Sequence, residues 1–185
     1  FDITLAALPD ALSFDGNDFV SIASDALSFA GSSTVEVRFK TTLVAGGSWM
    51  PIVQKTNGTG FNPAPYSLWV NQGTGAIDLV TFDGNIVRDF VPLDVAISGN
   101  DWQELATTIN RTSGDTGEVR IYLNGELILS ETISKAFAAT TAQPLLIGTS
   151  LDGGFGGFIG VIDDVAVWNV VRSAEDIATD FKGVN

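Results

Sequence analysis

The sequence predicts an all-β fold, a sandwich of two antiparallel sheets with one short C-terminal helix. Three observations carry this. Apolar residues recur with a period of two along most of the 185 residues. Turn-forming clusters separate these runs at spacings of about 8–12 residues, as sandwiches and barrels require. Only one segment, close to the C-terminus, carries helix start signals.

Taken in order, residues 1–10 are largely apolar. They read as an added edge strand or as a segment pairing with a neighbouring chain, the first being the commoner arrangement. Residues 19–22 form the first short β-rich run after them. In Ser33-Thr34-Val35-Glu36-Val37-Arg38-Phe39-Lys40, the apolar Val35, Val37 and Phe39 face one way and the charged residues the other. Runs 51–54, 67–70, 76–82 and 104–109 are likewise rich in β-branched and aromatic residues. Alternation returns in Glu118-Val119-Arg120-Ile121-Tyr122-Leu123, and runs 127–133, 144–147 and 158–168 follow.

Between the runs lie Asp15-Gly16-Asn17, Asn57-Gly58, Asp83-Gly84-Asn85, Ser113-Gly114-Asp115, Asn124-Gly125 and Asp152-Gly153-Gly154. Asn124-Gly125 predicts the clearest hairpin, because both residues tolerate the positive φ of a type I′ turn. The helix signal is Ser173-Ala174-Glu175-Asp176-Ile177: a Ser N-cap, acids in the first turn, and Ile177 with Phe181 at i, i+4. It is expected to sit as a lid on one end of the sandwich. No linker, charge block or internal repeat appears, so residues 1–185 read as a single domain.

Charge and composition narrow the function. Nine Lys and Arg against 22 Asp and Glu leave a net charge of -13, which opposes binding to nucleic acid or to anionic membranes. Histidine and cysteine are absent, which removes Ser-His-Asp and Cys-His catalysis, thiolate or imidazole zinc sites, and disulfides. Oxygen donors remain, and these suit a hard cation such as calcium. No apolar run reaches the length of a membrane span. The chain opens on Phe1 without a leader, as expected of a processed protein or an excised domain. Acidity, little Lys and abundant Thr, Ser and Gly suit a secreted or cell-surface protein. The sequons Asn57-Gly58-Thr59 and Asn110-Arg111-Thr112 matter only in a eukaryotic secretory pathway.

A series of motifs then carries a resemblance. Ala11-Leu12-Ser13-Phe14-Asp15-Gly16-Asn17-Asp18-Phe19-Val20 comes first, followed by the Ser33–Lys40 strand and Ile52-Val53-Gln54-Lys55. Asp101-Trp102-Gln103-Glu104-Leu105 and Ile121-Tyr122-Leu123-Asn124-Gly125 come next. Leu146-Ile147-Gly148, Gly160-Val161-Ile162-Asp163-Asp164-Val165-Ala166-Val167-Trp168-Asn169 and the helix start close the series. In this order they resemble the laminin G-like branch of the concanavalin A-like lectin/glucanase superfamily over about residues 11–181.

The resemblance implies a jelly-roll sandwich of two curved antiparallel sheets, often with a structural calcium, binding glycan or protein. It implies that the first and last strands are neighbours. That would bring the Asp15–Asp18 turn to Asp163, with Asp163, Asp18, Asn17 and the Gly16 carbonyl as calcium ligands and a stabilising role for the ion. Alternation puts Asp163 and Asp164 on opposite faces. The plainer reading is that Asp15 and Asp18 cap their own turn. Loops around Asp115 and Asp152 are weaker second sites.

For ligand binding, Trp102 and Trp168 match core positions of the family. Trp49 lies in a loop-like context, Tyr66 or Trp69 is expected to face outward, and loops bearing Asn57 and Phe155 would flank the surface. The Glu-x-Asp-x-x-Glu triplet of the glucanase branch is absent, so no enzyme activity is expected. The leading expectation is a secreted, calcium-stabilised, lectin-like module binding glycan. The alternative is an adhesin repeat or surface-assembly subunit with a protein partner and self-association through residues 1–10.

Overall fold

A computed structural model of the chain describes residues 3–4, 11–29, 31–56, 65–80, 97, 99–111, 117–133, 141–151 and 156–183. Twelve described strands form two antiparallel sheets. The larger sheet runs β1 (Ile3–Thr4), β12 (Ile159–Trp168), β4 (Ser33–Lys40), β8 (Gln103–Arg111), β9 (Gly117–Leu123), β10 (Glu126–Ile133). β2 (Leu12–Asp15) also pairs with β12. The smaller sheet runs β3 (Val20–Ile22), β11 (Leu145–Ile147), β5 (Trp49–Lys55), β6 (Tyr66–Asn71), β7 (Ile77–Val80).

The period-two pattern sets which side chains meet between the sheets. Val35, Val37 and Phe39 of β4 pair across the ladder with Thr107, Leu105 and Gln103 of β8, and their side chains are buried. Ile52 and Val53 of β5, Leu68 and Val70 of β6, and Ile77 and Leu79 of β7 face them from the smaller sheet, in one continuous core. Each such side chain contributes about 1.5–3 kcal/mol when fully buried. Phe158 anchors one end, its ring edge-to-face with both Phe14 and Phe39 at 6.1 Å.

The hairpin forms as its residues predict. Asn124 and Gly125 take φ of 52° and 77° between β9 and β10. Helix α1 (Ala174–Gly183) starts at Ser173, whose hydroxyl oxygen accepts the Asp176 N–H at 3.1 Å. Its position differs from the expected end lid. Ile177 is fully buried against Ala106 and Tyr122, so the helix lies on the outward face of the larger sheet. The small Ala106 beside flat Tyr122 leaves the depression that Ile177 fills.

The two chain ends do meet. β12 pairs with β2 along its first half and with β1 along its second, so Ile3 and Thr4 occupy the β12 edge within the same chain. That is the edge a neighbouring chain would otherwise have paired with.

Candidate ligand-binding face

The outward face of the smaller sheet is built from alternate residues of five strands. One row crosses it as Ser21, Leu146, Gln54 and Ser67, and a second as Pro51, Trp69 and Asp78. Trp49 opposite Asn71 begins a third row at the rim. The outward face of a sandwich sheet is ordinarily polar and wet. Here its centre is polar and dry: Gln54, Ser67, Trp69 and Asp78 are each 5% exposed or less, while Trp49, Asn71 and Ser21 keep open surface. Buried polar groups cost free energy unless hydrogen-bonded. The Trp69 indole N–H donates to Ser67 Oγ at 2.7 Å, and the Leu151 N–H donates to Gln54 Oε1 at 3.1 Å. The groups with open surface on this face, the Trp49 ring, the Asn71 amide and the Ser21 hydroxyl, are of kinds that can pack against C–H patches and hydrogen-bond hydroxyls.

Of the five expected ligand-binding residues, Trp49 and Trp69 share this face. Trp49 is the first residue of β5 rather than a loop residue, and half-buried. Trp69 faces away from the core as expected, yet it is buried. Tyr66 does not face outward. It lies on the opposite side of β6, fully buried, with its hydroxyl donating to the Leu27 carbonyl at 2.9 Å, and burial raises its pKa. Asn57 and Phe155 lie outside the described residues. Gln54 and Asp78 were missed. The signal for Asp78 was a lone acid inside the aliphatic run Ala76-Ile77-Asp78-Leu79-Val80, one strand from a tryptophan.

The assignment of Trp102 and Trp168 to the core is also corrected. Trp102 precedes β8 and is 37% exposed, with the Arg38 guanidinium 4.8 Å from its ring centre. Trp168 lies half-buried on the outward face of the larger sheet, under Arg172 at 4.4 Å. Arg172 Nη1 also donates to both Glu36 carboxylate oxygens at 2.8 and 3.0 Å, and it pairs with Asp180 of α1. This clamp fastens the helix to the sheet. Burial, outweighing the nearby Arg172, pushes the Glu36 carboxyl up to about 7. Burial with the charge of Asp180 does the same for Glu104, also to about 7.

The register does not bring the residues expected to hold calcium together. Asp15 pairs with Ile159, and Ile162 pairs with Leu12, so Asp163 lies four positions along β12 from the residue opposite Asp15. Four residues of strand span roughly 13 Å, far beyond the shared ligand shell of one ion. The turn faces Gly157 instead, whose N–H donates to the Gly16 carbonyl at 3.2 Å. Its carboxylates serve the turn itself: Asp15 Oδ1 accepts the Asn17 N–H, and Asp18 Oδ2 accepts the Asp15 N–H. Among the described residues no three acids gather to hold a metal.

Asp163 and Asp164 also break their expected alternation. The β12–β4 register shifts between Asp163 and Ala166, with Asp164 at φ 47°, and this bulge brings both acids toward Arg38. Asp115 and Asp152 lie outside the described residues.

A sequence model of the laminin G type, described as the concanavalin A-like lectin/glucanases superfamily, matches residues 14–178. The chain belongs to that superfamily. Among curated proteins no sequence matches it. Similar solved structures include the CBM40 domain of the Ruminococcus gnavus IT-sialidase bound to α2,3-sialyllactose. It is 16% identical, covers 93% of this chain and 96% of that one, and has a TM-score of 0.70. The NanB sialidase of Streptococcus pneumoniae is 18% identical over 97% of this chain but only 27% of its own, at TM-score 0.70. The binding domain of botulinum neurotoxin DC, in complex with rat synaptotagmin II, is 14% identical, covers 100% of this chain and 43% of that one, and has a TM-score of 0.67. At these identities the likeness is one of fold, and it bears out the jelly-roll architecture of this concanavalin A-like domain.

Proposed function

We propose that this concanavalin A-like domain is a non-catalytic carbohydrate-binding module of a secreted or surface protein. Its ligand lies on the outward face of the smaller sheet. The observation that carries the reading is the open part of that face, where half-buried Trp49 lies opposite Asn71 at the rim of a rigid, polar and aromatic sheet surface. The CBM40 neighbour solved with sialyllactose supports a saccharide as the class of ligand. The neurotoxin neighbour in complex with synaptotagmin supports a protein partner as the second reading. Among the described residues no helix is long and apolar enough to cross a membrane.

The placement of the two described glutamates raised to about 7 supports the non-catalytic part of the proposal. Glu36 is held by Arg172 beside the helix, and Glu104 is 8% exposed on the same face. Glycoside hydrolysis needs two carboxyl groups flanking a bond in an open cleft.

The test is a glycan panel read with two variants. Trp49→Ala is expected to weaken saccharide binding by about tenfold, or about 1.4 kcal/mol, while Trp102→Ala on the other sheet leaves it unchanged. Absence of saccharide binding by a domain with native melting behaviour would hand the function to the protein-partner reading.

Calcium stays an expectation for chelation to test: among the described residues its expected donors, Asp163 and the Asp15–Asp18 turn, do not assemble. A bound ion at 100 times its Kd adds about 2.7 kcal/mol. An EDTA-treated sample is therefore expected to melt with the untreated one. A drop of several degrees would assign an ion whose ligands lie beyond the described residues.

A further inference from the structure

We infer that α1 is a pH-gated strap on the larger sheet, held down in mildly acidic solution and released about a hinge at Arg172–Ser173 as the solution turns alkaline. The inference is independent of the carbohydrate reading. Its first ground is how thinly the helix is attached. Among its described side chains Ile177 is the buried one, seated on Ala106 and Tyr122. Ala178 and Phe181 are half-buried against Gly125 of the β9–β10 turn, and the others are exposed. A helix of ten residues is marginal by itself in water, so α1 keeps its shape through docking.

The second ground is the hinge. The chain up to Arg172 is fastened to β4 independently of the helix. Buried Thr34 donates its hydroxyl to the Val170 carbonyl at 2.7 Å and accepts the Arg172 N–H at 2.9 Å. Past that point the described ties are Ile177, the contact with Gly125 and the bridge from Arg172 to Asp180. α1 can lift at Ser173 while the β12–β4 ladder stays closed.

The third ground is the charge under the helix. Ala166, Glu36, Ala106 and Tyr122 form one row across the outward face, and α1 lies on it. Among the described residues the charged groups facing Glu36 are Arg172, which donates to both its carboxylate oxygens, Asp180 of α1, and Glu104 two positions from Ala106 on β8. Arg38 lies two positions along β4, with Asp163 opposite it on β12 and Asp164 next in that strand. Tyr122 is the phenol of the row, and Glu175, Asp176 and Lys182 are the other charges of α1, all exposed. Carboxylates outnumber guanidiniums where helix meets sheet. Burial pushes the docked Glu36 carboxyl from 4.5 up to about 7, with the charge of Asp180 adding to it against Arg172. Lifting α1 returns water to Glu36 and takes Asp180 away, so the carboxyl drops back toward its ordinary value. The docked state then holds the proton more tightly, and docking weakens as pH rises from 4.5 through about 7.

The experiment is amide hydrogen exchange on the intact domain at pH 6 and pH 8, each rate corrected for its intrinsic dependence on pH. Through an opening of its own, α1 is expected to exchange at least about tenfold faster than β6 at both pH values. Its protection is expected to fall about tenfold from pH 6 to pH 8, the change one such carboxyl produces. Glu36→Gln is expected to narrow that change to about threefold or less. Since a buried variant can fold poorly, Asp180→Asn on the exposed side of the same bridge gives a second measure. It is expected to loosen α1 at both pH values and to shrink the ratio between them. Exchange of α1 in step with β6, equal protection at the two pH values, or a ratio left intact in both variants overturns the inference.

Discussion

Glu104→Gln is expected to raise the melting midpoint at pH 8 and to flatten its dependence on pH. Glu104 is 8% exposed, its Oε1 is buried without a hydrogen-bond partner, and its carboxyl is pushed from an ordinary 4.5 up to about 7. Burial is the main cause. The charges of Asp180 and Asp164 add to it, and Arg38 and Arg172 oppose it. Burial raises Glu36 nearby to about 7 as well.

The sign follows from proton counting. Between the unfolded value near 4.5 and the folded value near 7, the folded state holds more protons, so stability falls as pH rises through that window. Above about 7 both states are ionised and the penalty is complete. At 1.36 kcal/mol per pH unit, Glu104 carries no more than about 3 kcal/mol of it. That corresponds to roughly 6–12 °C for a domain of this size. Wild-type melts at pH 5.5 and pH 8 should show the higher midpoint at the lower pH. A glutamine variant whose pH profile runs parallel to wild type would show that Glu104 is not the group responsible.

Gly160→Ala is expected to cost the domain most or all of its stability. Gly160 sits in β12 at φ 146°, a backbone conformation that residues with a Cβ rarely adopt. An added Cβ would fall 2.2 Å from the Lys40 carbonyl oxygen and 3.0 Å from the Phe158 ring. The first neighbour is backbone of the adjacent strand, and the second is the ring that joins Phe14 and Phe39 in the core. Neither gives way without opening the β12–β4 ladder. Strain and lost packing together should exceed about 4 kcal/mol, against a typical total of about 5–15 kcal/mol. Circular-dichroism melts check this. A variant melting within a few degrees of wild type would mean that Gly160 is not seated against Lys40.

The strands and turns were readable because their causes are local. The alternation of Val35, Val37 and Phe39, the Asn124-Gly125 pair and the Ser173 cap each act within a few residues. The site was less readable. Trp49 and Trp69 do share a face, but nothing near Asp78 in the sequence says that Trp69 lies directly across from it. Trp102 and Trp168 occupy strand-flanking and strand positions that suit a core. Arginines stacked on them from Arg38 and Arg172 stabilise them at the surface instead.

Read alone, the chain specifies an acidic all-β sandwich with a capped C-terminal helix and no thiol or imidazole chemistry. It takes the folded chain to show that the Asp15–Asp18 turn and Asp163 stand apart, that α1 lies on a sheet face, and that a polar centre is buried beside Trp69. The physical reason is reach. Propensity, caps and turn chemistry are set by neighbours in the chain. Register and the burial of an outward face are set by strands dozens of residues away, where a shift of one pairing position or one bulge redirects every side chain that follows.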